Sequence, residues 1–218
     1  MIDETYRDFA THYPPHNLFS ATQTQILPPS WSWRSTFVHL FSFSKSYAIP
    51  GHRLGAVVAS PELLKYITTT LDCIQICAPR PLQLALATAS LLSKLRPFIQ
   101  SNTKALEARH ALFRKSLPSG WTIGSQGGFY AFVKHPFQNV SSITFCERLA
   151  KKLGVLVLPA QFFYREEDEA QRRALGLSEE GWDRWLRFSV ANIGDEQIVN
   201  VCERLKECKP HFELDGIA

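Results

Sequence analysis

The stretch SFSKSYAIPGHRLGAVVAS, Ser42 to Ser60, sets one lysine among serines, follows it with Gly51-x-Arg53-x-Gly55, and closes on small apolar residues. Hydroxyls and a guanidinium are good anion ligands. Lys45 lies three residues from Ser42 and eight from Arg53. A lysine beside a bound anion is either one more phosphate contact or a nucleophile. Just upstream, FVHLFSFS (Phe37 to Ser44) alternates and carries aromatics, which predicts a strand. Pro50, Gly51 and Gly55 mark turns, and Ala56 to Ala59 predicts a second short, buried strand.

Further upstream, residues 10–35 are rich in Pro, His, Ser and Thr and read as a long loop. Met1 to Phe9 begins abruptly, with a single apolar residue between Met1 and the pair Asp3-Glu4, leaving no room for a strand before the acids. Downstream, Pro61 to Asp72 predicts a helix with proline at its first position. Pro81 to Ser116 has helical periodicity throughout, with a kink or break expected at Pro97. From GWTIGSQGGFYAFV onward the pattern changes to strand, helix (Ser142 to Leu153), strand (Val155 to Leu158), loop, strand (Trp185 to Val190) and helix (Asp195 to Cys208). Asp195 and Gly194 compete for the last N-cap.

Bulk properties narrow the classes. With 218 residues, 45% of them hydrophobic, the chain can build one large domain or two small ones with cores. A charged fraction of 20% excludes a disordered chain. The net charge of +4 is scattered rather than striped with aromatics, which argues against nucleic acid, and no apolar run approaches membrane-spanning length. The five cysteines are an odd number, and the polar start MIDETYRDF carries no secretory signal, so reduced thiols and a cytoplasmic setting are expected. Cys73 and Cys77 have helical spacing. Without a second pair at ligand spacing they read as two buried apolar thiols rather than a zinc site, and no metal is expected. Asn139-Val140-Ser141 matches a glycosylation acceptor, which without a signal peptide reads as chance.

Three sites carry chemistry. Asp3-x-x-Tyr6 is either a surface turn or an acid and a phenol pointing into one cleft. Ser42-x-Ser44-Lys45 with Arg53 is either a basic loop or an anion site around a reactive amine. Arg187 interrupts the apolar strand Trp185-Leu-Arg-Phe-Ser-Val and either pairs with a carboxylate of the protein or awaits an anion, since a buried guanidinium is costly alone. Together they make chemical sense around pyridoxal phosphate, whose aldehyde needs an amine, its pyridine nitrogen an acid, its phenolic oxygen a donor, and its phosphate hydroxyl or cationic ligands.

On these residues the chain resembles the C-terminal portion of a class I/II aminotransferase of the fold-type I pyridoxal-phosphate family. DETY is similar to the family's Asp-x-x-Tyr, and SFSKSYAIPGHRLG to its Ser-x-Ser-Lys-(x)7-Arg-x-Gly signature. GGFYAFV, LGVLVLPA and WLRFSVAN follow in the family's order. The resemblance implies an α/β fold. Residues 1–100 would be a remnant of the large domain's mixed, mostly parallel sheet with its helices, and residues 101–218 the small α+β domain. It implies that Lys45 forms a Schiff base with the cofactor, Asp3 pairs with the pyridine nitrogen and Tyr6 donates to the phenolic oxygen. Ser42, Ser44 and Arg53 would hold the phosphate, and Arg187 would grip the substrate carboxylate. The implied reaction moves an amino group from an amino acid to a 2-oxo acid, with Lys45 shuttling the α-proton. The implied assembly is a homodimer.

The family also places about half of its large domain before Asp-x-x-Tyr, including a glycine-rich phosphate turn, a stacking aromatic and an asparagine, which have no counterpart here. A truncated chain with open sheet edges, uncovered apolar faces and impaired cofactor binding is therefore expected. Phe162 and Phe163 either line a substrate entrance or pack under a loop. Arg80 either meets a second carboxylate or the phosphate, or is a surface arginine between prolines, and Tyr164 to Arg173 reads as a solvated acidic insertion. The same residues would serve a C–S β-lyase or a decarboxylating or cyclising relative, and a non-catalytic fragment is the rival from another class.

Overall fold

The computed structural model describes residues 1–10, 16, 31–163 and 182–212. The chain divides into two compact units, Met1–Lys104 and Ala105–Ala218. Most of the loop expected over residues 10–35, and the acidic run 164–173, lie outside the described residues.

The first unit carries a mixed three-stranded sheet, as expected. Strand β1 (Ile2–Asp3) runs parallel to β2 (His39–Ser42), with Asp3 opposite Leu40, and β3 (Gly55–Val58) runs antiparallel along the other side of β2, with Gly55 opposite Ser42. The abrupt start still makes a strand, because the Ile2 and Glu4 amides donate to Val38 O at 2.9 Å and Leu40 O at 2.8 Å. The strand expected over Phe37 to Ser44 stops at Ser42. The Ser42 hydroxyl accepts from the Ser44 amide at 3.2 Å and starts the single turn α2 (Phe43–Ser46), and a capping hydroxyl favours that turn over further strand. A short helix, α1 (Trp33–Thr36), precedes β2 and begins inside the segment read as loop.

Helix α3 (Pro61–Ile74) starts as expected, with Pro61 in its first turn and the Ser60 hydroxyl accepting from the Leu63 amide, and runs two residues longer. The long helical stretch breaks between α4 (Arg80–Leu86) and α5 (Leu91–Ser116), not at Pro97, which sits inside α5. A proline costs a helix one donor and some steric strain, and α5 tolerates both. Neither α3 nor α4 buries a residue: Tyr66, Ile74 and Leu84 are 65%, 72% and 60% exposed. This overturns the reading of Cys73 and Cys77 as buried thiols. Both are exposed, because nothing within the described residues covers α3 and Cys77 lies past the helix end.

The second unit is an α+β layer. Strands β4 (Thr122–Gly127), β5 (Tyr130–Lys134), β6 (Leu158–Pro159) and β7 (Trp185–Ser189) form an antiparallel sheet in the order β4-β5-β7-β6. The strand expected over Val155 to Leu158 pairs only from Leu158, although Val155 and Val157 are buried. Helices α6 (Ser142–Leu153) and α7 (Asp195–Lys206) supply apolar faces to one core with the strands. Phe113, Val133, Phe145, Leu149, Leu186 and Ile198 are among its members. Helix α6 shows its limits in sequence: the Ser141 hydroxyl caps its start and Gly154, at φ +63°, turns the chain out of its end. At α7 the N-cap is Gly194, and Asp195 is the first helical residue, placing its charge at the positive end of the helix dipole. The buried thiols are Cys146, Cys202 and Cys208, and burial pushes them up to about 12, 11 and 11. Among the described residues no helix is long and apolar enough to cross a membrane.

Candidate functional site

Parallel pairing decides what stands together in the first unit. Strands β1 and β2 point the same way, so both end at one sheet edge, and antiparallel β3 begins there. Asp3 is the last residue of β1, Ser42 the last of β2, Ser44 and Lys45 lie in the turn that follows, and Arg53 lies two residues before β3. Tyr6 lies in the turn leaving β1. The edge beyond the carboxyl ends of parallel strands is where open α/β sheets bind ligands.

The side chains at this edge have distinct states. Asp3 is exposed, and its Oδ1 accepts from the Thr5 hydroxyl at 2.7 Å and the Thr5 amide at 2.9 Å. Those two donors, the hydroxyl more than the amide, hold its carboxyl below the usual carboxylate range against a small opposing effect of burial. Tyr6 is half-buried with its ring 6.3 Å from that of Phe9. Lys45 is half-buried, between Ser44 at 8% exposure and Ser46 at zero. The Ser46 hydroxyl is buried without a hydrogen-bond partner among the described residues. Arg53 is exposed, in the left-handed conformation (φ +51°, ψ 50°), and one guanidinium nitrogen donates to Pro50 O at 3.0 Å. The glycine two residues later has a steric reason, since a Cβ on Gly55 would stand 3.0 Å from the Phe41 carbonyl oxygen.

Sequence reasoning missed the residue beside Asp3. Glu4 is buried, and its carboxylate meets Arg7 at 3.2 Å, His16 Nε2 at 3.0 Å and His39 Nε2 at 2.7 Å. Both imidazole nitrogens stand within ion-pair distance of the carboxylate without making a hydrogen bond to it. The available signal was the strand's period of two, which turns Glu4 away from the face of Asp3.

In the second unit, Arg187 lies on β7 between Phe132 of β5 and Leu158 of β6. Alternation sends Leu186 and Phe188 into the core and Arg187 to the opposite face of the sheet. There a cleft of about 480 Å³ is lined by Ser125, Gly127, Tyr130, Phe132, Phe163 and Arg187. The Arg187 Cζ lies over the Tyr130 ring at 4.2 Å and over the Phe163 ring at 4.6 Å. Among the described residues no carboxylate pairs with this guanidinium.

The sequence profile of the family described as "Aminotransferase class I and II" matches residues 1–205. The chain belongs to that family. Solved aminotransferases share its α/β fold of mixed sheet and helices. An aromatic aminotransferase from Pyrococcus horikoshii superposes with a TM-score of 0.75 at 23% identity, over 96% of this chain and 50% of its own. N-succinyldiaminopimelate aminotransferase from Mycobacterium tuberculosis gives 0.72 at 19%, over 94% and 48%. LysN, an α-aminoadipate aminotransferase from Thermus thermophilus solved with N-(5'-phosphopyridoxyl)-L-leucine, gives 0.67 at 20%, over 95% and 50%. This aminotransferase-family chain thus spans about half the length of the solved structures it matches. No curated protein sequence matches it significantly.

Proposed function

We propose that this chain belongs to a pyridoxal-phosphate-dependent aminotransferase, passing an amino group from an amino acid to a 2-oxo acid. In this reading Met1–Lys104 belongs to the cofactor-binding large domain and Ala105–Ala218 is the small domain. The observation that carries it is the shared sheet edge of Asp3, Ser42, Ser44, Lys45 and Arg53. The donor set fits the cofactor. Asp3 stays anionic and keeps Oδ2 for a protonated ring nitrogen, and Tyr6 follows it with a phenol for the ring oxygen. Arg53 commits one nitrogen to Pro50 and keeps donors for phosphate, beside the hydroxyls of Ser42 and Ser44.

Bound pyridoxal phosphate supplies an electron sink for charge developing at the substrate Cα. Lys45 Nζ would hold the cofactor at its aldehyde carbon, and as a free amine it would accept and return the Cα proton. Arg187 holds the substrate carboxylate, a task suited to a fork of N–H donors. A cytoplasmic setting and a homodimer belong to the same proposal, and the apolar faces of α3 and α4, uncovered among the described residues, support the dimer.

The test is a labelling map. The 218-residue chain is mixed with pyridoxal phosphate, reduced with borohydride and digested for mass spectrometry. Lys45 is expected to carry the adduct ahead of surface lysines such as Lys65 and Lys151, and Asp3→Asn to lower that preference. Equal labelling of all lysines would overturn the assignment of Lys45.

A further inference from the structure

We propose that Tyr130 and Phe163 are positioning residues for Arg187: their rings hold the guanidinium so that its N–H rim, rather than its faces, meets a carboxylate. The proposal goes beyond the role of Arg187 itself, but it rests on reading Arg187 as a carboxylate site.

Burial and charge set the requirement. Arg187 is half-buried on the central part of the sheet, carries a permanent charge, and has no carboxylate partner among the described residues. What surrounds it instead is two ring faces, at 4.2 and 4.6 Å. Rings attract a guanidinium through their negative faces without using its N–H donors. The arginine is therefore held laterally, and its hydrogen-bonding capacity stays available to an incoming anion.

The two rings come from different elements. Tyr130 stands on β5 opposite Gly127 of β4 on one side and Ser189 of β7 on the other. Gly127 places no Cβ beside it and has open space around it. Phe163 closes the far side from the turn Ala160–Phe163, with its ring 6.5 Å from that of Phe132, and Phe132 stacks on Trp185 at 5.4 Å and 4°. Phe163 is 45% exposed, a costly place for a bare ring unless it packs on something, and the Arg187 side chain is what it packs on. Phe163 lines the cleft beside Arg187. Phe162, at 67% exposure, does not line it.

The experiment uses the 218-residue chain with 3-phenylpropionate as carboxylate probe and 3-phenylpropionamide as its neutral control, following the Arg187 Nε–H resonance. The expected result is saturable binding of the acid and not the amide. Tyr130→Leu and Phe163→Leu should each weaken it about 3- to 10-fold, while Tyr130→Phe, which keeps the ring, binds as the unchanged chain does. Both sites lie on the sheet face away from the core, and the near-ultraviolet circular dichroism of the core aromatics serves as the folding control. Phe163→Leu, on an exposed turn, remains decisive if the Tyr130 variant unfolds. Unchanged affinity in both leucine variants, with binding lost in Arg187→Leu, overturns the positioning role and leaves Arg187 as the carboxylate site. Undiminished binding by Arg187→Leu, or no binding by the unchanged chain, overturns the reading of Arg187 itself.

Discussion

His135 is fully buried, with its ring stacked 4.3 Å from Phe145 at 11° and next to Phe137. Burial lowers its pKa to about 3, the Arg184 charge pushes the same way, and the Val140 backbone opposes both as the smallest of the three effects. The folded pKa lies below the ordinary value of 6.5, so below that pH the unfolded chain gains a proton that the folded chain refuses. Stability is therefore flat in this group above about 6.5 and falls by up to about 1.4 kcal/mol per pH unit down to about 3. Urea unfolding followed by tryptophan fluorescence checks this: His135→Phe should lose most of the acid slope between those limits. The sequence displayed His135 between strand and proline but offered no sign of its depth. Its burial depends on neighbours such as Phe145, ten positions away on a helix, and no local pattern encodes it.

At the scale of the element, β4 carries a register irregularity between Ile123 and Ser125, and Gly124 sits in it. A Cβ there would come within 2.6 Å of the Trp185 ring, which is buried and braced by Phe132. Gly124→Ala should destabilise the second unit by about 1–3 kcal/mol, read as a lowered urea midpoint with little change in slope. In sequence this glycine read only as one of several in GWTIGSQGG; the tryptophan it accommodates is 61 positions away on another strand. Local chemistry was legible where it is local. The caps Ser60 and Ser141 and the exit at Gly154 stand where short-range rules put them. Strand ends were less legible: FVHLFSFS loses its last two residues to a helical turn because Ser42 acts as a cap as readily as a strand residue.

For the whole molecule, the contrast between the two units matters most. The continuous apolar core, from Phe113 to Phe212, belongs to Ala105–Ala218, whereas α3 and α4 of Met1–Lys104 bury no residue. Residues 105–218 expressed alone should unfold cooperatively with near-native tryptophan fluorescence, while residues 1–104 alone should show a shallow, non-cooperative transition. Equal cooperativity in both pieces would contradict this division of stability. The same contrast explains the error over Cys73 and Cys77. Apolar periodicity says which face of α3 wants cover, and whether cover is present depends on what packs there.

The sequence by itself determined the family and the chemical inventory, because an amine between serines, an arginine two residues before a glycine, and an acid three residues before a tyrosine are short-range patterns written along the chain. The tertiary structure alone decided that parallel pairing of β1 with β2 gathers those groups at one edge. It alone decided that Arg187 meets two aromatic rings and no carboxylate among the described residues. Pairing register and burial depend on residues far apart in the chain, so they exist only once it has folded.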